Sequence, residues 1–438
     1  MREYPKILFI TINGWNNTTG SATIPSIIAG YPSDRIASIY IRPDVPNASV
    51  CNKYFNISEK EVIKSLFSSS VRPGKVILSG ENNDIAMQRE QQDRIKLKKI
   101  PVSIGNVARD IVWLSGKWKN QSLHDFLDSF NADIIAFPAE GILSFLRLAE
   151  YVINYTGKPY MLFFWDDNFT FKSHGFSLYR LMVKNKIARL AKKSISSFAI
   201  TPKMKKECIE YFGIDPVLIT KPIILNKKTE LKQNYPYPIK ILYTGSLYID
   251  RDKTILKLIN AIAEINEFKQ FFSLDIYTNS EIPEKKLKMF NVPKVAHLHE
   301  GVSKEEVLEL QKKADVLLFA EALEGKYKNA ARLSFSTKIT DYLSANRAIL
   351  AIGPSDIAPI EYLADNDIAI VVSEERKIRA VLQRILSEKD WILNKYANKA
   401  YAFGKQYHSR KIIFQTFCDS VMKARESMDE IEDENTTN

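Results

Sequence analysis

Two blocks of alternating apolar runs and helical patterns, divided by a polar, proline-bearing stretch, constrain this chain more than any other feature. In the first block KILFITI, RIASIYI, ADIIAFP, KPYMLFFWDD and SSFAITP read as strands. Between and after them lie helical patterns over about 142–155, SLYRLMVKNKIARLAKKS and KMKKECIEYFG, the last closed by Gly213. The stretch NKKTELKQNYPYP then has the composition of a linker. The second block runs IKILYTG, TILKLINAIAEIN, FSLDIYT, VAHLHEG, SKEEVLELQKKA, ADVLLFA, STKITDYLSA, RAILAIG and IAIVVS, with a further helix near 374–387. Continuous apolar strands separated by helices imply parallel sheets covered on both faces. Two such blocks in 438 residues imply an α/β chain of two doubly wound, Rossmann-like domains facing a cleft. The expected boundaries are 1–225, a linker at 226–238, 239–400, a helical segment at 401–425 and a disordered acidic tail at 426–438. Residues 50–120 resist assignment beyond a helix at EKEVIKSLF, a strand at KVILSG and a helix within 94–116.

The most telling segment is Ala314–Gly353, which reads as strand, long loop, helix, strand. A loop ending on a helix N-terminus offers unpaired backbone N–H groups and a favourable dipole to an anion. Ser336 stands where that helix starts, as an N-cap, a phosphate ligand with Thr337, or both. Asp341, further along the helix, can turn a carboxylate toward hydroxyls beside the anion. Phosphate next to vicinal hydroxyls describes a nucleoside diphosphate, so the segment points to a nucleotide-sugar site.

These residues also carry a resemblance. STKITDYLSANRAILA is similar to the donor-site helix of retaining GT-B glycosyltransferases, of the large bacterial polysaccharide and lipopolysaccharide glycosyltransferase family 4 type. YTGSLYIDRDKTILKLINAI, HLHEGVSKEEVLELQKKADVLLFAE and FAITPKMKKECIEYFGIDPVLITKPI resemble further segments of that family in the same order, so the likeness covers most of residues 195–400. It implies a GT-B fold and metal-independent, retaining transfer of a hexosyl-type sugar from a UDP or GDP donor. The implied acceptor is a glycan or a polyprenyl-diphosphate-linked glycan in surface polysaccharide synthesis, and no cofactor is expected. Lys253 falls on the family's diphosphate lysine, with Arg251 nearby where the family's usual arginine is replaced by Ser246. Lys338 matches a common lysine, and Asp341 the second acid of the family's paired-acid pattern. The first acid of that pattern would fall on Leu333, a departure that Glu321 or Glu324 would have to cover, while Arg332 could meet a charged sugar. Gly245, Tyr277, Thr278, Gly301 and Val302 match loops lining the nucleoside. Gly20 and Ser21 lie in the loop after the first strand, which usually approaches donor phosphate or acceptor.

Asp166 and Asp167 end a strand facing the cleft and serve either as a base or acceptor-orienting pair or as loop caps. They are not an Asp-x-Asp motif, and the five histidines lack ligand spacing, so no metal is expected. Cys51, Cys208 and Cys418 show no redox spacing, which suits a reducing cytosol. No apolar run approaches the roughly 20 residues of a membrane span, and the apolar start is too short for a signal peptide. Net charge divides unevenly, +12 over residues 1–237 and −1 over the remainder. It is densest at Lys172–Lys206, where Leu178, Met182, Ile187 and Leu190 give a basic helix an apolar face. That helix either rests on an anionic membrane surface or is a solvated face of a basic domain. The expected location is therefore cytoplasmic, peripheral on the inner face of the cell membrane. No nucleic-acid motif accompanies the charge. Two other functions fit the same fold: a catalytically silent GT-B partner protein, and a sugar-nucleotide epimerase.

Overall fold

The computed structural model describes residues 4–16, 23–78, 102–173, 175–223, 231–232 and 234–436, without the side chains of 102–105 and 427–436. Two sheets carry the architecture. The first contains β1 (Ile7–Thr11), β2 (Ile36–Tyr40), β3 (Lys53–Asn56), β4 (Lys75–Leu78), β5 (Ile134–Pro138), β6 (Tyr160–Phe164), β7 (Ser196–Ala199) and β8 (Val217–Leu218). Their order is β4-β3-β2-β1-β5-β6-β7-β8, parallel throughout except for the β3–β4 pair. The second sheet contains β9 (Ile239–Thr244), β10 (Phe272–Thr278), β11 (Ala296–Glu300), β12 (Val316–Ala320), β13 (Ala348–Ile352) and β14 (Ile370–Val372). Its order is β11-β10-β9-β12-β13-β14, all parallel. Strand order reverses at β1 in one sheet and β9 in the other, and such points open a crevice beyond the strands' carboxyl ends.

The central strands are buried from end to end, which is why they read as unbroken apolar runs. The Lys304–Lys313 helix starts on a capping box, with Ser303 accepting from the Glu306 N–H and the Glu306 carboxylate accepting from Ser303. Its C-terminus is closed by Arg347, whose guanidinium donates to the Lys312 and Ala314 carbonyls at 2.6 and 2.9 Å. Helices at Gln121–Phe130, Glu284–Phe290 and Ala358–Asp365 lie outside the helical patterns read from the sequence, although the first has Leu123, Phe126, Leu127 and Phe130 at helical spacing behind an Asn120 cap.

The C-terminal segment departs from expectation in two ways. It breaks at His408 into helices Lys389–Tyr407 and Arg410–Thr436, and the second runs through most of the stretch expected to be disordered. The first packs on β13 and the Thr337–Ser344 helix of the second domain. The second crosses back, so that Ile413, Phe417 and Val421 join Phe9, Phe163 and Phe198 in the core of the first. The anchoring residues of this 27-residue helix, Ile413, Phe417 and Val421, all lie in its first half.

The chain's passages between domains lie side by side. The Ile223 N–H donates to the His408 carbonyl at 2.8 Å, and Ile223 bridges Ser409. The His408 ring is held between the Thr220 and Tyr362 hydroxyls, each at 2.7 Å. Burial pushes its pKa down to about 4, so the ring is neutral at ordinary pH.

Candidate active site

A cavity of about 370 Å³ opens at the carboxyl ends of β9, β10 and β11, beside the reversal point of the second sheet. Gly245 and Ser246 follow β9, Tyr277 to Ser280 follow β10, and Gly301 and Val302 follow β11. Two helices on the same face of the sheet supply the walls. Lys338 and Asp341 face the cavity from the Thr337–Ser344 helix, and Val307 and Gln311 from the Lys304–Lys313 helix. Spacings of three and four residues put each pair on one side of its helix.

Gly245 is required by its neighbour. A Cβ at this position would lie 1.9 Å from the Lys338 Nζ. The missing side chain lets the ammonium reach the mouth of the cavity, 4.8 Å over the Tyr243 ring. Desolvation, then the Arg251 charge, lowers the Lys338 pKa to about 8, with Glu321 opposing. An anion at the mouth would relieve both causes. Arg251 is itself clamped, bidentate, on the Glu321 carboxylate at 2.8 and 2.9 Å, and donates to the Ser246 hydroxyl at 3.1 Å. Asp341 accepts from Lys221, a buried lysine of the interdomain passage, at 2.7 Å. Tyr277 is fixed by stacking on His299 with centroids 4.3 Å apart, and His299 bonds to Asp275 at 2.8 Å.

The loop between β12 and the Thr337–Ser344 helix spans the two domains. Arg332 enters the first domain and donates to Asp167 at 3.1 and 3.2 Å, to Glu207 at 2.5 Å and to the Thr170 hydroxyl at 3.1 Å. Asp167 also accepts from the Thr170 N–H and from the Thr170 and Ser173 hydroxyls. This carboxylate, expected to face an open cleft, is therefore buried and fully engaged, because a foreign guanidinium needs it. Leu333 is fully buried within the first domain's core cluster. That burial is the physical reason why no acid stands at this position. Ser334 donates to Asp166 at 2.6 Å, and Asp166 stays at the domain boundary.

Beside Asp166 is a carboxylate that the sequence reading passed over, Glu140, in the loop after β5. Desolvation and then the Asp166 charge raise its pKa to about 7, with Arg42 opposing. Its place beyond a strand's carboxyl end, next to a glycine, was the available signal.

No protein-family model and no curated protein matches this sequence. Solved structures do match. Sucrose-phosphate synthase from Thermosynechococcus elongatus superposes with a TM-score of 0.61 at 11% identity, covering 96% of this chain and 99% of that one. The E. coli trehalose-6-phosphate structure bound with UDP-2-fluoro glucose gives 0.60 at 10%, covering 95% and 98%. WaaG, a glycosyltransferase involved in lipopolysaccharide biosynthesis, gives 0.53 at 13%, covering 95% and 99%. The chain has the GT-B fold. In this GT-B chain the cavity belongs to the second domain, and the Arg332–Leu333 loop joins that domain to the first.

Of the expected donor residues, Gly245, Tyr277, Thr278, Gly301, Val302, Lys338 and Asp341 come together in the cavity wall. Arg251 sits behind it through Ser246. Ser336 caps its helix by accepting from the Lys338 N–H at 3.4 Å, and Thr337 is exposed; neither lines the cavity. Lys253 is more than half exposed and pairs with Asp250 at 3.0 Å, outside the cavity, and Glu324 pairs with Lys257 on the surface. Gly20 and Ser21 lie outside the described residues. Among the described residues no group of His, Cys, Asp or Glu could hold a metal, and no helix is long and apolar enough to cross a membrane.

Proposed function

We propose that this protein is a glycosyltransferase that moves a sugar from a nucleoside-diphosphate donor, UDP- or GDP-linked, to a glycan or lipid-linked glycan. The observation that carries the reading is Lys338 held against Gly245 in the wall of a cavity that Asp341 also lines. A lysine with a depressed pKa is a strong partner for a diphosphate, and it meets the charge that develops as the bond from sugar to diphosphate breaks. Asp341 then accepts from ribose hydroxyls with the oxygen not bonded to Lys221. Transfer needs no metal on this reading, because Lys338 supplies the positive charge at the diphosphate. Lys253 would reach a bound diphosphate only by leaving Asp250. The acceptor would enter from the first domain past Glu140 and Asp166, where a carboxyl poised near neutrality can hold or release the acceptor's proton. The solved structures that match include a transferase of lipopolysaccharide biosynthesis and one holding a UDP-sugar analogue, which supports a glycan acceptor and a UDP donor. We carry retention of configuration and the surface-polysaccharide role from the sequence resemblance. The basic Leu178–Lys193 helix leaves Leu178 and Met182 exposed beside exposed Phe176, and this face would rest on anionic lipid.

The test is calorimetric binding of UDP, GDP, ADP and CMP, followed by donor hydrolysis. One nucleoside diphosphate should bind the parent and the Lys253→Ala protein, and bind Lys338→Met and Asp341→Ala at least tenfold more weakly. No binding by the parent would sink the reading. Binding without turnover over a broad acceptor set would instead favour a silent partner protein, which the burial of Leu333 in place of an acid would suit.

A further inference from the structure

The Lys304–Lys313 helix buries one side chain completely, and that side chain is polar. Gln311 is 2% exposed, while the leucines of the same helix are half-buried. Its Oε1 is buried without a hydrogen-bond partner. An amide carries an acceptor and two donors, and a buried acceptor left unpaired costs free energy that a leucine of similar size would avoid. The side chain lines the cavity one turn beyond Val307, across from Lys338 and Asp341 on the opposing helix. The same lining includes Val302, Val307 and Tyr277, apolar and aromatic surface that suits a flat ring.

We propose that Gln311 reads the nucleobase of the donor. The inference rests on the nucleotide-sugar reading of this cavity. The diphosphate occupies the mouth at Gly245 and Lys338, the ribose lies at Asp341, and the base slides between Tyr277, Val302 and Val307. The Gln311 amide there meets an edge that presents a donor beside an acceptor, as the ring N–H and carbonyl of uracil or guanine do. The contact supplies the partner that Oε1 lacks.

The experiment compares the parent with Gln311→Leu and Gln311→Glu, using UDP, GDP, ribose 5-phosphate and inorganic pyrophosphate as calorimetric probes. Gln311→Leu should weaken the preferred nucleoside diphosphate by roughly ten- to a hundredfold. It should leave ribose 5-phosphate and pyrophosphate unchanged, since neither has a base. Its ligand-free melting temperature should equal or exceed the parent's, because an unpaired amide has been replaced by an apolar group of like size; a merely structural glutamine would lower it. Gln311→Glu has acceptors alone, so it should disfavour uracil and spare guanine, whose edge carries adjacent donors. Equal binding of nucleoside diphosphate by parent and Gln311→Leu would overturn the proposal while leaving the donor site standing. So would an equal loss for ribose 5-phosphate. If the parent binds neither nucleotide nor pyrophosphate, the donor-site reading falls and takes this inference with it.

Discussion

Replacing Arg332 with methionine withdraws the guanidinium that stands between two buried carboxylates, Asp167 and Glu207. The two are left unequally exposed to the loss. Asp167 keeps the Thr170 N–H and the Thr170 and Ser173 hydroxyls. Glu207 keeps a long contact to Lys172 at 3.5 Å, and its Oε2 has no partner. Breaking a buried pair from one side costs about 3–5 kcal/mol, most of which should fall on Glu207. Arg332→Met combined with Glu207→Gln removes that stranded charge and should recover about half of the loss, whereas adding Asp167→Asn should recover little. Equilibrium urea unfolding followed in parallel by fluorescence and circular dichroism reads the difference. With a slope of about 3 kcal/mol/M, the single variant's midpoint should fall by roughly 1 M or more. An Arg332→Met midpoint within 0.2 M of the parent's (a shift of about 0.6 kcal/mol at that slope) would refute the argument. A double variant no more stable than the single would refute it as well.

Three further outcomes are expected. Nucleoside-diphosphate affinity should be flat below pH 8, where Lys338 is protonated before binding. Above its pKa of about 8 the lysine must take up a proton to bind, so affinity should fall by up to tenfold per unit, a slope that Lys338→Met abolishes. Gly245→Ala should weaken nucleotide binding, measured by calorimetry, with an unchanged circular dichroism spectrum, because its Cβ would lie 1.9 Å from the Lys338 ammonium and displace it. Glu140, raised to about 7, loses its proton as pH rises through neutrality, so the rate profile should inflect there; Glu140→Gln should remove that inflection without changing nucleotide affinity.

The strands were legible because sheets covered on both faces demand unbroken apolar runs, and the capping box at Ser303 and Glu306 announced its helix directly. That Gly245, Lys338 and Asp341 would meet in one cavity wall was legible for a related reason: they sit at a strand end and a helix start, which local pattern marks. What crosses between domains was not. Arg332 could be read as a sugar ligand and Asp167 as a base, since nothing local tells a residue at one position that it will meet another 165 places away. The Leu178–Lys193 helix shows the same limit. Its inward face is Val183, Ile187 and Leu190, with Lys186 paired to Glu150, while Leu178 and Met182 turn outward. Helical periodicity gives a face but not what it packs against.

The side-by-side passages at Thr220–Ile223 and His408–Ser409 act as a two-ply strap. One strand alone would let the halves swivel freely about its single bonds. Two strands joined by the Ile223 to His408 bond and the Thr220 contact resist twisting, since any twist shears both bonds together, yet they still bend. The strap is therefore one of two ties between the halves, the other being Arg332 on Asp167 and Glu207. Lys221 lies in the strap with its ammonium on Asp341, so the wall that would hold the ribose is fastened to the interdomain passage itself. On the proposed function, an acceptor bound by the first domain would meet that wall across a joint whose alignment both ties hold before either ligand binds.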